Sequence, residues 1–215
     1  MAVIIENINE KYEDEIIYSN FKLEFAENKI TSIVGRSGVG KTTLLNNIIG
    51  RKMKYENLSY VFQENNLLEW LTVYQNIDIV LKSKIKDKNE RKERVLKFLR
   101  IVKLEEYKDF YPNKLSGGMK QRVNIARGVA YPSKYIFMDE PFKSLDVVNK
   151  YDIIDKLKSE IKSSGRTVLA VFHDIDEVLN FSDEVLVLFG RPVEIRKRFL
   201  ASDFSFNKYE IMEYI

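Results

Sequence analysis

Eight consecutive residues near the start of the chain, Gly35-Arg-Ser-Gly-Val-Gly40-Lys41-Thr42, carry the most specific chemistry in the sequence. Their spacing, G-x-x-x-x-G-K-T, is that of a phosphate-binding loop, or P-loop. Glycines let the main chain wrap closely, so that successive N–H groups face phosphate oxygens, and a helix starting there adds its dipole. In such a loop the lysine reaches the β- and γ-phosphates as a point charge, and the hydroxyl of Thr42 is a ligand for Mg²⁺. Ninety-nine residues after Lys41, the apolar run Tyr135-Ile-Phe-Met138 ends in Asp139 and Glu140. Phosphoryl transfer needs a carboxylate on the metal side, and hydrolysis needs a group that positions the attacking water. Adjacent acids at a strand end can divide these tasks because the chain bends out of the sheet there. Asp139 is the expected metal-side acid and Glu140 the expected general base. Many strands end in acids; downstream of a complete phosphate-binding loop, the pair points to hydrolysis of a bound nucleotide's phosphate.

The elements that must hold these groups are legible as changes of period. Val3 to Ile8 and Ile16 to Phe25 alternate apolar and polar residues, which predicts antiparallel strands with Asn9 to Asp14 as the turn. Ile30 to Val34 is a β-branched strand running into the glycine cluster, and Thr42 to Ile49 is an amphipathic helix. Leu58 to Phe62 reads as a further strand. From Thr72 to about Tyr111 the spacing becomes helical, with Val95, Leu96, Phe98, Leu99 and Val102 on one face. Met119 to Ala130 reads as a helix, Tyr135 to Met138 as a buried strand, and Val147 to Ser163 as a helix. Gly165 makes a turn, Thr167 to Phe172 is a strand, Asp174 to Phe181 a helix and Val185 to Phe189 a strand. Strands alternating with helices predict an α/β fold with a mostly parallel sheet and helices on both faces. A small antiparallel β region precedes this core, and residues 72–114 are read as an inserted helical subdomain within a core of 1–71 and 115–215.

Composition narrows the partners. The chain has 215 residues, no cysteine, and 35 basic against 32 acidic side chains, for a formal net charge of +3. Disulfides and thiolate metal sites are thereby excluded, and the near-neutral balance does not suggest nucleic acid as a partner. The lysine-rich stretch at 82–97 interleaves acids and bases, as on a solvated helix face. No run approaches the roughly 18 apolar residues needed to cross a bilayer, and no basic segment followed by a long apolar one opens the sequence. The expected location is cytoplasmic.

Between the loop and the acids lies Leu115-Ser116-Gly117-Gly118-Met119-Lys120-Gln121-Arg122, which closely resembles the signature sequence of ATP-binding-cassette (ABC) ATPases. Other motifs of that family appear in order. Tyr12 stands where an adenine-stacking aromatic is placed. Gln63 in Val61-Phe62-Gln63-Glu64 is similar to the glutamine loop, Ser144-Leu145-Asp146 to the loop after the acids, and His173 in Val171-Phe172-His173-Asp174 to the switch histidine. This is the chain's single histidine. The resemblance implies that Tyr12 packs on the base, while Gly35, Ser37, Gly38, Gly40, Lys41, Thr42 and Thr43 hold phosphates and metal. It implies that Gln63 senses γ-phosphate and Mg²⁺ as a further metal ligand, that Glu140 orients water, and that His173 contacts the γ-phosphate. Ser116, Gly117 and Gly118 of one copy would close on ATP held by another, in a two-fold homodimer whose interface Asp146 organises.

Phe62-Gln-Glu-Asn-Asn-Leu-Leu-Glu-Trp-Leu-Thr-Val73 resembles the corresponding region of importers for nitrate, sulfonates and taurine, as do Asp139-Glu-Pro-Phe142 and His173-Asp-Ile-Asp-Glu177. This resemblance implies a homodimer peripheral on the inner face of the cell membrane, beneath integral membrane permease subunits, with an extracytoplasmic solute-binding protein delivering a small solute. Cassettes of exporters or lipoprotein-release systems, and non-transport cassettes acting on nucleic acid or ribosomes, are the alternatives. Trp70, the single tryptophan, fits either a core anchor or a partner-binding surface. Two departures from the family pattern stand out. Only 22 residues separate Lys41 from Gln63, which predicts an abbreviated β-rich region. Lys143-Ser144 replaces a pair of small residues after the proline and phenylalanine.

Overall fold

The computed structural model describes residues 1–51, 58–201 and 208–215. Two long strands, β1 (Ala2–Tyr12) and β2 (Glu15–Ala26), form an antiparallel ribbon. The turn is tighter than the sequence suggested: Glu13 adopts φ 54° and Tyr12 pairs with Glu15, so the strands continue through Asn9 and Glu10. The polar residues read as a loop belong to exposed strand positions, and register shifts between Ile5 and Lys11 break the simple alternation. The chain then enters β3 (Ile30–Val34), the phosphate-loop sequence, and α1 (Lys41–Arg51). Residues 52–57, where the expected abbreviation falls, lie outside the described residues.

The main sheet comprises six strands in the order β4-β5-β6-β3-β7-β8, with β4 (Leu58–Val61), β5 (Tyr135–Asp139), β6 (Thr167–Val171), β7 (Glu184–Phe189) and β8 (Glu194–Leu200). All neighbours run parallel except β7 and β8. The two-residue period of each strand splits its apolar side chains between two cores. Ile33, Phe137, Leu169, Val171, Leu186 and Leu188 face the ribbon and α1. Val34, Ile136, Met138, Val168, Ala170, Val185 and Val187 face the other way, toward the remaining helices. A strand buried on both faces reads as an unbroken apolar run, which is why β3, β5, β6 and β7 were plain in the sequence.

The opposite face is covered by α2 (Val73–Leu81), α3 (Lys88–Ile101), α4 (Gly117–Ala130), α5 (Val147–Ser163) and α6 (Ile175–Phe181). Thr72 and Gln75 form a reciprocal capping box that starts α2, and Asp87 caps α3. Short 3₁₀ turns at Glu105–Tyr107 and Pro112–Lys114 lead from α3 to α4. Val73, Ile77 and Leu81 of α2 and Val95, Phe98 and Leu99 of α3 share one core with Val123, Ala126 and Val129 of α4. A short α7 (Lys208–Met212) lies near the end of the chain.

Candidate active site

The ends of β3, β5 and β6 bring the sequence-derived candidates together. These strands are adjacent, and Asp139 is in register with Val171, so the segments beyond them, Glu140-Pro141 and Phe172-His173, emerge side by side. Glu140 turns out of the sheet with φ 45°, in the left-handed region, while its N–H donates to Val171 O at 3.0 Å. That turn presents its carboxylate to three groups. His173 Nε2 lies 2.6 Å from Oε1, Gln63 Nε2 donates to Oε2 at 3.1 Å, and Lys143 Nζ is 2.6 Å from Oε2.

Beneath the turn, three buried rings fix the backbone that carries the acid and the histidine. Phe142 lies two residues beyond Glu140, Phe172 precedes His173, and Phe181 comes from α6. Their centroids are separated by 5.8 Å (Phe142–Phe172), 5.2 Å (Phe142–Phe181) and 5.9 Å (Phe172–Phe181). Such contacts add about 0.5–1.5 kcal/mol per pair beyond simple burial.

Asp139 is 2% exposed, and its Oδ1 accepts from the Thr42 hydroxyl at 3.2 Å. Burial pushes the Asp139 carboxyl up from the ordinary aspartate value, with the Thr42 hydrogen bond pulling the other way. Lys41 is also buried; its ammonium donates to Gly35 O at 2.8 Å and Arg36 O at 3.0 Å. Burial lowers its pKa, and the charges of Glu140 and Asp139 oppose that shift. The loop's shape depends on glycine. Gly40 has φ 115°, and a Cβ there would come within 2.8 Å of Ile17 Cγ2. At Gly35, a Cβ would meet Leu188 O at 2.6 Å. The Thr42 hydroxyl and the buried Asp139 carboxylate beside it are oxygen donors of the kind that suit a hard cation taking its other ligands from phosphate and water. No cluster of three or more His, Cys, Asp or Glu side chains suited to a metal occurs among the described residues.

The remaining candidates form a second group. Ser116 caps α4, its hydroxyl accepting from Met119 N–H at 3.2 Å. Gly118 sits so near the loop after the acids that a Cβ would lie 2.7 Å from Ser144 O. Asp146 caps α5 by accepting from Asn149 N–H at 3.1 Å, with Arg122 Nη2 3.8 Å away. Gly117 and Gly118 form the first turn of α4. Among the described residues, the contacts of this group run to the loop after the acids and within α4 and α5. Tyr12 is 70% exposed at the tip of the ribbon. Trp70 is 73% exposed, so the reading of it as a core anchor is set aside.

The profile of the ABC transporter family matches residues 18–143. The chain belongs to the ABC transporter family. An uncharacterized ABC transporter ATP-binding protein of Methanocaldococcus jannaschii is 38% identical over 193 residues, spanning 83% of this chain and 72% of that protein. An Fe(3+) ions import ATP-binding protein of Fusobacterium nucleatum is 33% identical, with 90% of this chain matching 59% of it. A nitrate import ATP-binding protein of Synechococcus elongatus is 35% identical, with 92% of this chain matching 33% of it. The chain thus spans well under two thirds of these two importer relatives. A dimeric ATP-binding cassette solved in a post-hydrolysis state with ADP and Pi superposes with a TM-score of 0.79 at 30% identity, covering 93% of this chain and 98% of that one. The fold is that of an ABC ATPase, a P-loop cassette, and ATP hydrolysis is its activity.

Several residues that shape the cassette's site had no signal in the sequence. Tyr18, 1% exposed, donates its hydroxyl to Gly40 O at 3.0 Å and braces the last glycine of the loop. Arg191, on the turn between β7 and β8, donates to Gly38 O and pairs with Glu15 at 3.0 Å, joining the loop to the ribbon tip near Tyr12. From α4, Asn124 donates to Phe62 O at 2.8 Å, while Arg127 donates to Asn66 O at 2.9 Å and Asn65 O at 3.1 Å. These hold the glutamine-loop backbone to the helix that begins at the signature. Each is a side chain meeting a main-chain carbonyl distant in sequence, a contact no local pattern encodes.

Proposed function

We propose that this cassette powers import of a small solute across the cytoplasmic membrane, working as a homodimer peripheral on its inner face beneath integral membrane permease subunits. The observation that carries the reading is the gathering of Lys41, Thr42, Gln63, Asp139, Glu140 and His173 at neighbouring strand ends, in a chain whose relatives include importer ATPases. ATP is the substrate. The backbone of Gly35, Ser37, Gly38 and Gly40, with Lys41, Thr42 and Thr43, binds its phosphates, and Tyr12 packs on the base. Thr42, Asp139 and Gln63 would hold Mg²⁺, which would supply charge neutralisation at the phosphates. Glu140 accepts a hydrogen bond from the attacking water, positions it and takes its proton. His173, held against Glu140, lies ready to meet the γ-phosphate side of the site.

Ser116, Gly117 and Gly118 open a 14-residue helix whose N-terminus suits an anion. They serve the ATP of a second copy, with Asp146 ordering the contact. That arrangement is supported by the dimeric form of the solved cassettes. We take residues 72–114 as the helical subdomain. A cleft of about 300 Å³ between β4, α2 and α4, lined by Tyr60, Phe62, Val80, Arg127 and Tyr131, suits a short helix from a permease subunit. Among the described residues no helix is long and apolar enough to cross a membrane. An extracytoplasmic solute-binding protein would act through the permease.

Affinity capture from detergent-solubilised membranes of the native organism tests the proposal. Recovery of a polytopic permease together with a solute-binding protein is expected. Retention of only soluble partners, or of nucleic acid, would overturn the transport reading while leaving ATP hydrolysis in place.

A further inference from the structure

The loop after the acids carries a cation directly onto the base. Lys143 Nζ lies 2.6 Å from Glu140 Oε2, the same oxygen that accepts from Gln63, while His173 occupies Oε1. The turn that places it there is closed by Lys143 N–H donating to Glu140 O at 3.4 Å. The Glu140 side chain is 8% exposed and that of Lys143 60% exposed, so the lysine can leave without disturbing the core. A water that is to be positioned through Oε2 must displace one of these donors, because a carboxylate oxygen already facing an ammonium and an amide has little acceptor capacity left.

We propose that Lys143 is an autoinhibitory latch on Glu140: in the nucleotide-free chain it covers the oxygen that must receive water, and turnover requires its withdrawal. The triphosphate of ATP, entering beside Lys41, is the competing anion that draws it away. A half-exposed ion pair of this kind is weak and screened by salt, which lets it open during turnover. The inference rests on Glu140 as the base.

The test compares ATP turnover of wild type, Lys143→Ala, Lys143→Arg and Glu140→Gln. Lys143→Ala is expected to raise turnover about two- to fivefold at 0.1 M salt, the range open to a partly exposed pair, with KM for ATP little changed. Lys143→Arg keeps the charge and stays near wild type. The advantage of Lys143→Ala shrinks toward unity near 1 M salt, where the screening length falls from about 10 to about 3 Å. A second readout needs no turnover. In nucleotide-free protein with ¹³C-methylated lysines, the Lys143 resonance, assigned with Lys143→Arg, moves when Glu140 becomes Gln. Turnover of Lys143→Ala at or below wild type, or a Lys143 resonance blind to Glu140→Gln, overturns the latch. Undiminished turnover in Glu140→Gln instead removes Glu140 from the role of base, so the two failures are told apart.

Discussion

At the scale of single residues, the site depends on buried charges held by few partners. Lys41 is 5% exposed and its ammonium is satisfied by two loop carbonyls. Replacing it by Ala removes the only cation inside the loop sequence that the carboxylates of Asp139 and Glu140 face. Nucleotide affinity of Lys41→Ala, measured by titration with a fluorescent ATP analogue, is expected to fall by at least about tenfold, the scale of one charge-assisted contact. Unaltered affinity would contradict the placement of phosphate at this loop. Glu140→Gln keeps the shape and the hydrogen-bonding reach of the side chain but not its ability to take a proton. Its turnover is expected to drop by about 10²-fold or more while ATP binding persists. Lys41, Asp139, Glu140 and His173 were legible in the sequence because motif spacing names them. Lys143 stood out only as a departure from the family pattern, and Tyr18 and Arg191 not at all. Their roles come from turns that fold a side chain back onto a carboxylate or a distant carbonyl.

At the scale of elements, the adjacency of β5 and β6 brings Glu140 to His173, and the Phe142–Phe172–Phe181 cluster locks the two strand ends together. Phe142→Ala would empty a fully buried ring site. It is expected to destabilise the cassette by about 3–5 kcal/mol in urea unfolding, with loss of turnover at temperatures where the variant remains folded. A cost below about 1 kcal/mol would mean that the cluster is not what holds the turn. The central strands were readable because burial on both faces makes them continuous apolar runs. Strand β8 was not read: only Ile195 and Phe199 alternate inward among Arg196, Lys197 and Arg198. Those cations protect a sheet edge from pairing with another chain, and the same protection hides the strand from a hydropathy pattern. The hairpin turn was placed too widely for a related reason, since Glu10 and Lys11 are polar yet paired.

At the scale of the whole molecule, the proposed arrangement has a second copy supply Ser116, Gly117 and Gly118 to the ATP held by the first. Closure of such a dimer on ATP and its reopening after hydrolysis would be rigid-body movements that a permease could follow. The near-balance of 35 basic and 32 acidic residues gives no large net repulsion against self-association. Sedimentation velocity of the Glu140→Gln protein, with and without Mg²⁺ and ATP, tests this claim most directly. The account expects the 25.3 kDa chain to sediment singly without nucleotide and to double its mass at saturating ATP, where slowed hydrolysis preserves the closed state. A single-chain mass at every ATP concentration, with nucleotide demonstrably bound, would contradict it.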